Sequence, residues 1–496
     1  MAFLKLIEYK ELLEGYGLLE SCRLCGAEET FVRGLTYESG KTQKDTLFVC
    51  KGAAFRKEYL EDAISRGACC YVSETDYGIP DVPCILVRSI REAMPHLARA
   101  FYAHPEDGLF LTGITGTKGK TTTVFMIRGI VDAYAKHTGG KEMAYLSSVE
   151  TYDGKVREPS KLTTPEAMEV YRRFRAAADS GIRYLSMEVS SQALKYGRVR
   201  GIRYDIGLFL NISEDHISPI EHPDFEDYFH SKLSLFRQTK TACINLDADR
   251  ADEIRAAAAG CEKIVTFGSS PEADLYFGNV RSGPDGIGFT VFFGQSAEEF
   301  HLRMHGLFNV ENAMAAIACA YCMGIPVSFM KEGIASVTVP GRVETYTGRG
   351  GKLKVIVDYA HNGVSFRKIM GSAASEFGGW RMETVFGCTG VKAVNRRRGM
   401  AEAASDFCVK AYLTADDPAT EPVEEICADI RRYMDEEKCP CTVIPDRETA
   451  IRTAIEQAQD NTVLLVLGKG AETAQKVGSG SVPYESDAVI VKRYIK

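Results

Sequence analysis

The chain has 496 residues, too many for one hydrophobic core at roughly 100–200 residues per domain, so about three domains are expected. With 45% hydrophobic and 26% charged residues and a formal net charge of −7, it lacks the basic excess needed to wrap nucleic acid or an anionic membrane. Charge at Lys5 and Glu8 interrupts the N-terminal apolar run, which is wrong for a secretory signal, and a cytoplasmic protein is expected.

In chain order, Thr46–Cys50 reads as strand, Tyr59–Ser65 as helix, Gly67 as its stop and Cys69–Val72 as strand, an α/β pattern that defines a first domain over residues 1–105. A helix over Arg91–Tyr102 ends at the turn-rich His104-Pro105-Glu106-Asp107-Gly108. The strand Leu109–Ile114 opens a second domain, 106–339, with further strands at Tyr184–Val189, Ile206–Ile212, Ala242–Leu246 and Lys263–Phe267 separated by helical stretches. That alternation describes a doubly wound, mostly parallel sheet. Ala313–Met323 is too short to cross a membrane and reads as a buried helix. Residues 340–496 repeat the alternation, with strands at Val355–Asp358, Thr384–Phe386, Val409–Thr414 and Thr462–Leu467, and form a third, Rossmann-like α/β domain. Fifteen cysteines without a signal sequence imply reduced thiols rather than a disulfide framework. Cys22 and Cys25 have zinc spacing, but Cys439 and Cys441 are remote, differently spaced and without a histidine pair, so no structural zinc is expected.

The strand ending at Ile114 runs into Gly116-Thr117-Lys118-Gly119-Lys120-Thr121-Thr122, and Val124, Ile127, Ile130, Val131 and Tyr134 follow at helical spacing. Strand, glycine loop and helix are the parts of a phosphate site: backbone N–H groups and a helix N-terminus face the anion, and a lysine neutralises it. The strict Walker pattern calls for glycine at 114, where Ile114 stands, and the glycine is Gly116. Glu188 and His216 both follow strands, at the edge where such sheets bind ligands. Taken alone, His216 reads as an ordinary loop residue and Lys232 as a solvated helix lysine.

Gly-Thr-x-Gly-Lys-Thr-Thr after a strand resembles the superfamily of Mur ligases and folylpolyglutamate synthases. The resemblance implies that ATP is bound by Gly116, Thr117, Gly119, Lys120, Thr121 and Thr122. It further implies that Mg2+ is held by Thr121, Glu188, His216 and a carbamylated Lys232, and that Lys120, Lys232, Glu188 and His216 are catalytic. Phe308-Asn309-Val310-Glu311-Asn312, Pro340-Gly341-Arg342 and Asp358-Tyr359-Ala360-His361 match the family's adenosine contacts, implying ATP-binding roles for Asn309, Asn312, Arg342, Asp358 and His361.

The long segment before Gly116 separates this chain from the folylpolyglutamate synthases. Glu38-Ser39-Gly40 with Asp45-Thr46-Leu47-Phe48-Val49 resembles the uridine-diphosphate-binding domain of the muramoyl-dipeptide branch, giving Ser39 a substrate role. Leu162-Thr163-Thr164-Pro165 and Ser190-Ser191-Gln192, followed by Arg198, belong to the same branch; hydroxyls and one arginine suit an anionic peptide substrate. Thr164-Pro165 is also a good helix start with Glu166 in the first turn. The implied reaction adds a third amino acid to UDP-N-acetylmuramoyl-L-Ala-D-Glu through an acyl phosphate. The implied partners are that UDP-dipeptide and a diamino acid, with a monomer expected and neither nucleic acid nor membrane involved.

Family members that use meso-diaminopimelate carry Asp-Asn-Pro-Arg where this chain has Asp416-Asp417-Pro418-Ala419. Loss of that charge-assisted contact costs about 1.5–3 kcal/mol, enough to undo selectivity for the distal carboxylate. Asp417 and Glu421 make the loop acidic, and Glu472, in Gly468-Lys469-Gly470-Ala471-Glu472, is retained for the α-amino group, so L-lysine is favoured over diaminopimelate or another diamino acid. The third-domain loop Gly387-Cys388-Thr389-Gly390-Val391-Lys392 departs from the family's Gly-Cys-Gly-Gly-Asp-Arg, and Arg396-Arg397-Arg398 follows it. The arginines read either as a solvated face or, at Arg397, as a contact to substrate phosphate. The departure keeps open a paralogue that binds UDP-peptide and ATP without ligating them.

Overall fold

The computed structural model describes residues 3–52, 54–215, 217–218, 221–283, 285–391 and 394–496. They gather into two compact units: Met1–Lys120, Val131–Thr266 and Ala318–Ile325 in one, and Thr121–Ile130, Phe267–Ile317 and Pro326–Lys496 in the other.

Two sheets organise the first unit. The N-terminal one has the order Leu19–Arg23, Cys84–Val87, Ala68–Ser73, Thr46–Val49, Gly34–Thr36, parallel except for its first pair. The helices expected here form over Lys57–Ser65 and Ile90–Phe101, the latter capped by Ser89, whose hydroxyl accepts from Glu92 N. Leu19–Arg23 carries little sequence signal because it is a polar edge strand with most of its side chains exposed.

The second sheet has a parallel core in the order Ala144–Leu146, Tyr184–Glu188, Phe110–Thr115, Tyr204–Phe209, Thr239–Asn245, Lys263–Gly268. Phe110–Thr115 and Tyr184–Glu188 are buried on both faces, which explains their continuous rather than alternating apolar patterns. The chain starts in the middle at Phe110–Thr115 and fills one side before crossing to the other, so the carboxyl ends of Tyr184–Glu188, Phe110–Thr115 and Tyr204–Phe209 border a topological switch point.

The mostly parallel expectation holds, with antiparallel strands added in each unit. Glu150–Tyr152 and Arg157–Pro159 extend the first unit's sheet antiparallel, and in the second unit Leu275–Gly283, Gly286–Phe293 and Ser296–Leu302 form an antiparallel meander. Short turns make this possible, as at Gly294, whose φ of 63° suits glycine between two strands of the meander.

Also in the second unit is a six-stranded sheet, ordered Glu344–Gly348, Leu353–Asp358, Thr462–Leu467, Arg381–Phe386, Lys410–Leu413, Cys441–Val443, with only the first pair antiparallel. A hairpin of Ala474–Val477 and Gly480–Pro483 stands apart from it. The expected buried helix runs over Phe308–Cys322, with Ala313 to Ala320 fully buried. Among the described residues no helix is long and apolar enough to cross a membrane.

The helix that begins at the phosphate loop, Lys120–Thr138, is packed through glycine: a Cβ added at Gly333, on helix Val327–Ser336, would lie 2.4 Å from the backbone N and Cα of Ile130. Neither backbone can yield without moving its helix. Gly333→Ala is expected to destabilise the protein by about 1–3 kcal/mol in urea unfolding, as overpacking does. An unchanged midpoint would contradict this packing.

Candidate functional site

The candidate residues fall into two groups. In the first unit, the chain leaves Phe110–Thr115 through Gly116 at φ 148°, where an added Cβ would sit 2.9 Å from Leu210 Cβ, and Gly119 at φ 86° turns it into the helix. The loop is laced to the segment after Tyr204–Phe209. Thr117 N donates to Asn211 O (3.1 Å), Lys118 N donates to Asn211 Oδ1 (2.9 Å), and Asn211 Nδ2 donates to Lys118 O (3.1 Å). The Thr117 hydroxyl accepts from Ser213 N (3.0 Å) and Tyr228 OH (3.1 Å) and donates to Ser213 O (3.2 Å).

Two lysine amines converge on one oxygen of this loop. Lys120 Nζ and Lys232 Nζ each donate to Gly116 O at 2.9 Å, and Lys120 Nζ also donates to Thr117 O at 3.1 Å. Lys232 is 2% exposed, against the bland expectation of a solvated helix lysine, and its Nζ lies 4.6 Å from the centre of the Tyr228 ring. Burial first, and the charge of Lys120 second, push its pKa well below the ordinary lysine value.

Glu188, 1% exposed at the end of its strand, accepts from Ser148 N at 2.7 Å. Thr121 and Thr122, which the division into units counts with the second, are buried in the first turn of helix Lys120–Thr138. His216 lies outside the described residues. Among those described, no cluster of three or more His, Cys, Asp or Glu side chains is arranged to hold a metal ion.

The acceptor candidates are close neighbours of Glu188. The Thr164 hydroxyl donates to Glu188 O (2.9 Å) and accepts from Ser190 N (2.9 Å). It does not start a helix: Ala167–Asp179 is preceded by Glu166 at the N-cap. Ser190 caps the short helix Ser191–Lys195 by accepting from Ala193 N at 3.2 Å, and Gln192, half-buried, lies in that helix. Arg198 pairs with Glu166 (3.0 Å) and donates to Thr164 O (3.3 Å), while Glu166 also pairs with Lys51 (3.0 Å). Thr163 is half-buried, and Ser39 opens the turn Ser39–Lys41 and bonds Asp62, holding that carboxyl below its usual range. His222 and Asp227 were invisible as site residues; the only local signal is Glu221-His222-Pro223 before the capping Asp224.

The second group lies in the second unit. Asn309 and Asn312 are buried, with Asn309 Nδ2 donating to His305 O (2.7 Å) and Asn312 Nδ2 to Asn309 Oδ1 (2.9 Å). Asp358 accepts from Val343 N (2.9 Å) and Ala360 N (2.7 Å), fixing the turn that carries Arg342, whose guanidinium lies 4.7 Å from the centre of the Tyr359 ring. A ring nitrogen of His361 lies 2.8 Å from Tyr359 O.

The acidic loop carries less net charge than its sequence suggests. Lys469, fully buried, pairs with Asp417 and Glu472 at 2.8 Å each, and burial opposes its charge while Asp416, Asp417 and Glu472 hold its pKa above the ordinary value. Glu421 is paired with Arg397 at 2.7 Å, and Arg397 reaches Asp429 at 3.0 Å. Arg397 is 3% exposed, so of the three arginines this one is neither a solvated face nor open to a phosphate in this arrangement. Ala419 sits at φ 51° and is bridged to the hairpin: its N–H donates to Lys476 O (3.0 Å), and its carbonyl accepts from Gly478 N (2.7 Å).

Comparisons with known proteins agree over the whole chain. Residues 114–320 match the family model of the Mur ligase middle domain, and residues 341–470 that of the Mur ligase glutamate ligase domain. A UDP-N-acetylmuramyl-tripeptide synthetase of Lactobacillus delbrueckii is 38% identical, covering 98% of this chain and 97% of its own. A UDP-N-acetylmuramoyl-L-alanyl-D-glutamate–L-lysine ligase of Enterococcus faecalis is 38% identical over 97% of this chain and 94% of its own. Among solved structures, a UDP-N-acetylmuramoyl-L-alanyl-D-glutamate–2,6-diaminopimelate ligase superposes with a TM-score of 0.69 at 24% identity, covering 100% of this chain and 99% of that one, a likeness of fold.

Asp416, beside Lys469, is a titration marker for the second group. Burial raises its carboxyl from 3.8 to about 6 despite the opposing charges of Arg447 and Lys469. Between these values the native state binds more protons than the unfolded chain, so this group's contribution to stability falls as pH rises from 3.8 to about 6 and stays lost above. Asp416→Asn is therefore expected to gain in thermal midpoint relative to the parent between about pH 4 and about pH 7. A difference independent of pH would contradict the raised carboxyl.

Proposed function

The chain belongs to the Mur ligase family, and on that premise we propose that it is an ATP-dependent ligase adding L-lysine to the D-glutamyl residue of UDP-N-acetylmuramoyl-L-Ala-D-Glu. The observation that carries the reading is the convergence of Lys120 and Lys232 on Gly116 O, with a buried Glu188 at the end of the adjacent strand. Relatives named as tripeptide synthetases and as lysine ligases support the substrate.

In this reading, residues 1–105 bind the UDP moiety, residues 106–339 bind ATP and residues 340–496 bind the amino acid, a division supported by the separate spans of the three main sheets. The protein works as a cytoplasmic monomer whose partners are the UDP-dipeptide and a diamino acid, without nucleic acid or membrane, in keeping with a net charge of −7.

Gly116, Thr117, Gly119, Lys120, Thr121 and Thr122 take the ATP phosphates, and Asn309, Asn312, Arg342, Asp358 and His361 the nucleoside. Thr121, Glu188, His216 and a carbamylated Lys232 would hold magnesium, which would supply charge neutralisation at the phosphates. The fit rests on the state of Lys232. Its depressed pKa favours the neutral amine, which can attack carbon dioxide with loss of a proton to give a carbamate, adding a second anionic ligand beside Glu188.

A carboxylate is a poor acyl donor until phosphorylated, so the D-Glu side-chain carboxylate attacks the γ-phosphate, and Lys120 stabilises the charge that develops on the transferred group. Ser39, Thr163, Thr164, Ser190, Ser191, Gln192 and Arg198 hold the UDP-dipeptide. Asp416, Asp417 and Glu472 receive the diamino acid. The amine must be neutral to attack the acyl phosphate, and in this reading a carboxylate such as Glu472 takes its proton once released from Lys469. Arg397 contributes to phosphate binding only by leaving Glu421 and Asp429.

Purified protein given ATP and UDP-N-acetylmuramoyl-L-Ala-D-Glu is expected to release phosphate at least about tenfold faster with L-lysine than with meso-diaminopimelate or ornithine. Faster turnover with diaminopimelate would reverse the amino-acid assignment, and nucleotide binding without amino-acid-dependent turnover would favour a non-ligating paralogue. Lys232→Ala is expected to lose at least about a hundredfold in kcat and to recover part of it with a short-chain carboxylate. Full activity in that variant, or parent activity indifferent to bicarbonate removal at low magnesium, would rule out the carbamate.

A further inference from the structure

Helix Phe225–Leu233 carries more than Lys232. Asp227, in its first turn, accepts from Lys195 Nζ and lies on His222 Nδ1, both at 2.6 Å. His222 is fully buried, and its Nε2 lies 3.0 Å from the Ser191 hydroxyl, itself 4% exposed. The next residue of the helix, Tyr228, packs edge-on to the His222 ring with centroids 5.2 Å apart and donates its hydroxyl to Thr117 of the phosphate loop. One helix thus reaches Gly116 through Lys232, Thr117 through Tyr228 and Ser191 through Asp227 and His222.

We infer that His222 is a positioning residue: the chain Asp227, His222, Ser191 holds the acceptor turn Ser190–Gln192 in register with the phosphate loop. This rests on the proposed role of that turn in binding the UDP-dipeptide.

The direction of the chain follows from its charges. The Asp227 carboxyl is held below the usual range, first by the bond from Lys195 and also by His222, so it accepts. With Nδ1–H donated to Asp227, the neutral ring offers the Nε2 lone pair, to which the Ser191 hydroxyl can donate its only proton. Ser191 is then left with acceptor capacity alone. It suits a peptide N–H of the substrate, while anionic groups fall to Ser190 and Arg198. Removing His222 would free Ser191 to rotate and leave Asp227 with Lys195 alone. The burden should therefore fall on acceptor binding and not on ATP.

His222→Ala and His222→Gln would be compared with the parent for kcat and for KM of the UDP-dipeptide and of ATP. His222→Ala is expected to raise KM for the UDP-dipeptide about tenfold, the worth of one buried hydrogen bond, with KM for ATP within about twofold and with partial rescue by imidazole. In a Ser191→Ala background, His222→Gln should add no further increase. Equal rises in both KM values, no rise in either, or full additivity of the two substitutions would overturn the inference. Should His222→Ala fail to fold, the Ser191→Ala and His222→Gln cycle decides alone. Failure of the parent to turn over the UDP-dipeptide would instead count against the ligase reading, and calorimetric binding of the UDP-dipeptide to the same variants would still test the positioning role.

Discussion

The carbonyl oxygen of Gly116 accepts from two lysine amines, and much of the first group is arranged around that sharing. Two nitrogens bound to one oxygen lie no more than twice the bond length apart, and two unit charges about 5 Å apart repel by about 3 kcal/mol at an effective dielectric constant near 20. Both cannot keep a proton at ordinary cost. The site resolves the conflict by unequal burial. Lys232 is enclosed by helix Phe225–Leu233 and the phosphate loop, and Lys120 stands at the helix start with a second carbonyl, Thr117 O, as partner. Lys232 is the amine whose pKa is pushed down, by burial first and by the charge of Lys120 second, and an amine that gives up its proton is a nucleophile rather than a counter-ion.

Glycine makes the sharing possible. Gly116 takes a φ of 148° and presses within van der Waals range of Leu210, so its carbonyl is presented to both lysines while its own side takes no space. The bonds between Thr117, Lys118, Asn211 and Ser213 then satisfy the polar groups that such a turn would otherwise bury unpaired. The loop is consequently braced as the proposed phosphate site requires, which favours preorganised electrostatics over adjustment on binding.

Sequence reading recovered what period and glycine placement encode. Strands buried on both faces stand out as continuous apolar runs, so most parallel strands of the central and third sheets were legible to within a few residues, and Thr462–Leu467 to the residue, whereas the three-residue Ala144–Leu146 and Cys441–Val443 were too short to read. The antiparallel meander of Leu275–Leu302 was not, since its half-exposed strands carry weaker signals and its turns are short. Among site residues, the phosphate loop is a local motif and was readable. His222 was not, because its importance lies in contacts to residues distant in the chain, as with Ser191. Arg397 shows the converse: its place in an arginine run suggested a solvated face or a phosphate contact, and only the fold brings Glu421 and Asp429 to it.

Selectivity in the second group is also a matter of pairing. Read from sequence, Asp417 and Glu421 offer an ammonium two carboxylates, yet Glu421 is taken by Arg397, and Asp417 shares Lys469 with Glu472. An incoming ammonium would therefore have to compete with a lysine already in place, so its net attraction is smaller than the count of acids implies. A distal carboxylate fares worse. It would meet Asp416, Asp417 and Glu472, and position 419, an alanine held at φ 51° with both backbone groups bonded to the hairpin, supplies no cation to pair with it. The proposed preference for lysine thus rests more on excluding the wrong charge than on strongly binding the right one.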